Sequence, residues 1–209
     1  MKNMGLILSV NTTAYEPIQE GTHTAVCDKV IDLGRQVGLE EFGGKVAPKV
    51  WIGWLVNDEV DENGGMKEKH IGRIYTASLD KKSSLRRDLE AWRGKPFTEE
   101  ELAGFDLDNI LGAGCMINVA HEQKNDKIRE QIKGIVALPR GMKLEKPAER
   151  ISFVLDKNTV NNIDERIPSW LQDMIRKSVT YQELTEPDLP FGGEALPEGE
   201  DQEFHEVDF

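Results

Sequence analysis

The passage from His70 to Phe105 constrains the fold most, because it carries a strand directly into an amphipathic helix. His70-Ile-Gly-Arg-Ile-Tyr-Thr-Ala-Ser-Leu79 is rich in the β-branched and aromatic types that suit a pleated surface. The helix follows at Ser83–Trp92. Ser83 or Ser84 can cap its first turn, and Leu85, Leu89 and Trp92 fall at i, i+4 and i+7 on one buried stripe. A second helical piece begins at Thr98, with Glu101 in capping-box register, and stops near Gly104.

Strand patterns flank this passage on both sides. Thr22–Leu33 is a long strand candidate broken by Gly34, and Lys49–Val56 (Lys-Val-Trp-Ile-Gly-Trp-Leu-Val) is the strongest strand in the chain. A polar loop around Asn63-Gly64-Gly65 joins it to His70. After the helix, Cys115–His121 and Gln131–Leu138 read as strands, the latter closed by Pro139. The order β-β-β-α-β-β is that of an OB-fold β-barrel, with its helix between the third and fourth strands. The expected organisation is therefore mainly β: a barrel with an N-terminal extension over residues 1–160, a C-terminal helix packed on it over 161–182, and an acidic tail over 183–209. An apolar run at Gly5–Val10, a short strand at Ile151–Leu155 and a helix at Pro168–Ser178 complete the reading. That helix takes Trp170, Met174 and Ile175 as its apolar side.

Charge is distributed unevenly. The formal net charge is −12, which argues against a phosphate-binding protein as a whole. Residues 183–209, however, hold ten acids and no Lys or Arg, leaving 28 acids against 26 bases in residues 1–182. Residues 67–96 carry nine bases against four acids, and residues 123–150 carry eight against four. The tail, with scattered Pro and Gly and few large apolar residues, has the composition of a disordered segment.

Three stretches carry a resemblance. Tyr75–Phe97 (Tyr-Thr-Ala-Ser-Leu-Asp-Lys-Lys-Ser-Ser-Leu-Arg-Arg-Asp-Leu-Glu-Ala-Trp-Arg-Gly-Lys-Pro-Phe), Gly104–Gly112 and the Pro168-Ser-Trp170 helix resemble early proteins of tailed bacteriophages and prophages. The resemblance spans most of residues 15–182. It implies an OB-fold single-stranded DNA-binding protein acting in phage replication and recombination. The tail is similar to the acidic, aromatic-ended tails of bacterial and phage single-stranded DNA-binding proteins. It ends Glu203-Phe-His-Glu-Val-Asp208-Phe209, and Pro187-Asp-Leu-Pro-Phe191 is similar to an Asp-Ile-Pro-Phe ending. That likeness implies a tail that docks on replication and repair partners through Asp208 and Phe209 and competes with DNA for a basic groove.

Binding single strands regardless of base needs cations for the backbone and aromatic faces for stacking. Alternation along the second strand puts Lys49, Trp51, Gly53 and Leu55 on one side. The more uniformly apolar set, Val50, Ile52, Trp54 and Val56, belongs to the core. Trp51 is therefore the expected stacking residue, with Arg73 and Tyr75 together on one face of the third strand. Lys49, Lys81, Lys82, Arg86, Arg87, Lys95, Arg129 and Lys133 supply the expected phosphate contacts. Trp92 lies on the helix's apolar stripe and reads as core.

Other chemistries find little support. His23, Cys27, Cys115 and His121 make a poor zinc set, since His23 and Cys27 would lie ~13 Å apart along a strand and no Cys-x-x-Cys pair occurs. No metal or cofactor is expected. Gly94-Lys95 runs into Pro and lacks the upstream glycine of a Walker loop, and no Gly-x-Ser-x-Gly elbow is present. No apolar run approaches the ~20 residues of a membrane helix. The N-terminus lacks the pattern of a secretory signal, and two cysteines build no disulfide framework. The expectation is a protein of the bacterial host cytoplasm that binds without catalysis, with single-stranded DNA and replication or recombination proteins as partners and self-association open. Two other readings stay open: a phage protein-interaction module that binds a replication or host protein and carries a DNA-mimicking tail, and a divalent-metal nuclease.

Overall fold

The computed structural model describes residues 16–38, 44–56, 67–124 and 127–186. The Gly5–Val10 run, the Asn63-Gly64-Gly65 loop and the tail residues from Pro187 onward lie outside them. The fold is mainly β. Strands β1 (Gly21–Val37), β2 (Val46–Val56) and β3 (Lys69–Thr76) precede helices α1 (Ser84–Arg93) and α2 (Glu99–Ala103). A 3-10 turn at Leu107–Ile110 leads to β4 (Gly114–Lys124), β5 (Lys127–Val136), the short β6 (Ile151–Phe153), α3 (Ser169–Arg176) and α4 (Val179–Thr185).

Five strands run antiparallel in the order β3-β2-β1-β4-β5, and β6 pairs parallel to β1. The sheet is not closed into a barrel: β3 and β5 end it on either side and share no ladder. Side chains span the seam between them, where Arg73 Nη1 on β3 donates to the Ile132 carbonyl on β5 at 3.4 Å.

The sheet has two apolar faces, each with its own core. Val50, Ile52, Trp54 and Val56, the set that alternation assigns to the core, are buried on the inner face with Cys27, Ile71, Tyr75, Cys115 and Ile117. Helix α1 covers that face through Leu85, Leu89 and Trp92, the i, i+4, i+7 stripe. Ser83 caps it by accepting from Arg86 N–H, and Thr98 and Glu101 form a reciprocal capping box on α2. On the outer face a second core gathers Ile31, Leu33, Trp51, Ile151, Phe153, Leu155, Ile167, Leu171 and Ile175.

Three sequence expectations need correction. The first strand does not break at Gly34 but runs on to Val37. Gly34 takes φ +67° inside a register shift between Asp32 and Arg35, and a Cβ there would fall 2.7 Å from Ser178 Oγ. The C-terminal region is two helices rather than one; α3 buries Leu171 and Ile175 at i and i+4, and buried Ser178 caps α4. Trp170 stands 49% exposed instead of joining that stripe. Finally, helical order runs through Glu183 to Thr185, with Glu183 ion-paired to Arg35, so the tail boundary at 183 falls inside α4.

Candidate functional site

The outer face of β2 and β3 holds a groove built on two glycines. Gly53 and Gly72 are register partners across the β2–β3 ladder. The Trp51 indole lies over both: a Cβ on Gly53 would fall 2.5 Å from Trp51 Cη2, and one on Gly72 would overlap the ring at Cζ2 and Cε2. Any larger residue at either position closes the platform. Trp170, at the start of α3, meets Trp51 edge-to-face with centroids 6.2 Å apart and planes at 86°. Trp51 is 7% exposed, so Trp170 offers most of the aromatic surface.

Two adjoining hollows of about 360 and 510 Å³ share Trp51, Gly72, Glu130 and Trp170 in their walls. Lys29, His70, Arg73 and Arg166 add cationic or titratable groups around them. A third hollow of about 300 Å³ shares Lys29 and His70 and is bordered by Asp28, Glu68 and Glu149. Asp28 anchors this wall. Its Oδ2 accepts from Lys29 Nζ and lies 3.0 Å from His70 Nδ1. Burial pushes its carboxyl up, but the hydrogen bonds from His70 and Lys29 outweigh that and hold it below the ordinary carboxylate value.

The residues proposed from sequence for this role do not converge on one surface. Trp51 and Lys49 share the outer face, where Lys49 Nζ donates to Thr76 Oγ1 at 2.8 Å. Tyr75 is a core residue, 2% exposed, and cannot offer its ring to a base. It does share a face with Arg73, whose guanidinium carbon sits 5.1 Å from the Tyr75 ring centre. Both serve Asp88: Tyr75 Oη donates to Oδ2 at 3.0 Å, and Arg73 Nη1 donates to the same oxygen at 3.1 Å. Burial, with the Asp88 charge beside it, drives the Tyr75 phenol far above its ordinary value. Arg87 Nε reaches Asp88 Oδ1 at 3.3 Å, although its side chain is exposed. One carboxylate thus takes up three of the proposed DNA contacts.

The remaining basic residues are scattered. Lys81 and Lys82 occupy an exposed turn before α1. Arg86 is committed to Glu90 Oε1 at 2.9 Å and to the Leu79 carbonyl. Lys95 lies 3.8 Å from Glu101. On β5, Arg129 is exposed opposite Glu122, and Lys133 donates to Gln131 Oε1 at 2.6 Å. Because α1 covers the inner face, its cations do not line the Trp51–Trp170 groove. Asp208 and Phe209 lie outside the described residues.

Trp170, Lys29, His70 and Arg166 join the site only through the fold, from separate segments. The signal for Trp170 is the Leu171–Ile175 spacing, which turns Trp170 about 100° off the buried stripe. Of the four residues of the zinc set, Cys27 and Cys115 are buried in the inner core and the two histidines bind backbone carbonyls. His23 Nε2 lies 2.8 Å from the Gln19 carbonyl and His121 Nε2 lies 2.7 Å from the Ile18 carbonyl. Among the described residues, no group of three or more His, Cys, Asp or Glu is placed to hold a metal ion, and no helix is long and apolar enough to cross a membrane.

The chain matches no protein-family model and no curated protein.

Proposed function

We propose that the chain binds single-stranded DNA along the groove on the outer face of β2 and β3, without catalysis. The observation that carries this is the half-exposed Trp170 standing over the glycine-floored Trp51, with Lys29, His70 and Arg166 around the same hollow. Aromatic faces edged by cations suit unpaired bases on a charged backbone, whatever the base. Further support comes from topology: five strands in the order β3-β2-β1-β4-β5, with a helix between β3 and β4 and an open seam, suit a partly open OB-type barrel. The face of strands 2 and 3 is where such barrels bind oligonucleotides.

The bacteriophage resemblance fits this reading and suggests a role in replication or recombination in the host cytoplasm, with the acidic tail recruiting partner proteins. A second reading, a module that binds a replication or host protein, is favoured by the net charge of −12 and by the exposed indole, a frequent anchor of protein interfaces. The two separate in one titration. Fluorescent oligo-dT and a duplex of equal length are titrated with the full chain at two salt concentrations. Single-strand binding at micromolar protein or below, weakening with salt and exceeding duplex binding, is the expected result. No affinity for either nucleic acid leaves the protein-partner reading.

A further inference from the structure

We infer that His70 and Lys29 form a phosphate subsite on the groove wall, and that it binds the nucleic-acid backbone more tightly once the His70 imidazole is protonated. The subsite belongs to the single-strand groove proposed above and rests on that reading.

Its geometry is fixed by Asp28, whose side chain is only 4% exposed while that of His70 is 50% exposed. His70 Nδ1 faces the carboxylate at 3.0 Å, with Lys29 Nζ 3.4 Å from the same nitrogen. A neutral imidazole that donates from Nδ1 carries a lone pair on Nε2, its other nitrogen. A phosphate oxygen meets that lone pair as one acceptor meets another. Protonation turns Nε2 into a charged donor, and the repulsion becomes a charge-assisted hydrogen bond.

The surrounding charges leave room for this change. Asp28 is paired with Lys29, so protonation of the imidazole adds one positive charge that neither of them cancels. Glu68 before β3, Glu149 before β6, Glu130 on β5 and Arg166 before α3 are the other charged groups that line the same hollows. Linkage then requires reciprocity: if the proton tightens phosphate binding, bound phosphate must hold the proton more firmly.

The test is the affinity of the full chain for fluorescent oligo-dT at fixed ionic strength between pH 8 and 5.5, with His70→Gln and His70→Arg measured in parallel. A single added charge beside a phosphate at the surface corresponds to roughly a fivefold change. Wild type is expected to tighten by about that factor on acidification. H70Q should lose that increment, and H70R should bind at pH 8 as wild type does at pH 5.5. Imidazole NMR supplies a second readout, since oligo-dT should raise the pH at which His70 titrates. A flat wild-type profile, or an H70Q slope as steep as wild type, overturns the subsite while leaving the groove in place. Absence of binding at every pH overturns both.

Discussion

The Trp170 ring meets Trp51 edge-on at 6.2 Å, so the one large exposed aromatic of the C-terminal helices is positioned by a residue of the sheet. Trp51 is held in turn by the backbone of Gly53 and Gly72. The chain of causes runs from two glycines, through a buried indole, to an exposed one.

Trp170→Ala tests the outer link. Base–aromatic stacking is worth roughly 1–3 kcal/mol, so oligo-dT affinity should fall about five- to a hundredfold. Half of the side chain already faces solvent, so the melting temperature should move little. Unchanged affinity in a stably folded variant would remove Trp170 from the site.

Gly72→Ala tests the inner link. The added methyl overlaps the Trp51 ring and must displace it, at a cost of about 1–3 kcal/mol. Denaturant unfolding should report that loss, together with a shift in tryptophan emission. A variant as stable as wild type with unchanged emission would contradict the platform.

Tyr75 and Asp88 are expected to govern stability rather than binding. Tyr75→Phe removes one of the donors to a buried carboxylate and should cost about 1.5–3 kcal/mol in chemical denaturation. Oligo-dT affinity at a temperature where the variant is folded should stay within about twofold of wild type, since stacking loss would exceed that. A larger loss of affinity would restore Tyr75 to the binding surface.

Asp28 predicts a pH dependence of stability. Its native value lies below the ordinary carboxylate value, so the folded state binds fewer protons there than the unfolded chain. The contribution is complete above the unfolded value of about 3.9 and is lost as pH falls through the lower native value. Acid titration of unfolding should show this loss below pH ~4 in wild type, and Asp28→Asn should flatten it. Equal acid sensitivity in both proteins would assign the loss to other carboxylates.

The two thiols should be silent in the native protein. Burial raises Cys27 well above its ordinary value and pushes Cys115 up to about 12, leaving almost no thiolate at pH 8. A thiol reagent should label neither until denaturant is added. Fast labelling of the folded chain would show that the inner core opens.

Much of the fold was legible because its signals are local. Alternation along β2 separates Val50, Ile52, Trp54 and Val56 from Trp51, and Ser83, Thr98 and Glu101 mark helix starts by side-chain caps. The site was less legible because it joins residues far apart in sequence. Nothing near Tyr75 in the chain shows that its hydroxyl meets Asp88, although a carboxylate inside the Leu85-Leu89-Trp92 stripe is a warning that it needs buried partners. Gly34 read as a strand breaker because a positive-φ glycine in a bulge and one in a turn look alike in sequence. Trp170 read as core because an aromatic beside an apolar stripe is usually buried.

In the proposed binding mode the nucleic acid lies in the Trp51–Trp170 groove and not along the basic face of α1. Photocrosslinking the full chain to a bromodeoxyuridine-substituted oligonucleotide, followed by peptide mapping, distinguishes the two paths. Crosslinks at Trp170, or in the peptides carrying Trp51 and His70, are the expected result. Crosslinks confined to Lys81–Lys95, or none under conditions where the oligonucleotide is bound, would contradict it.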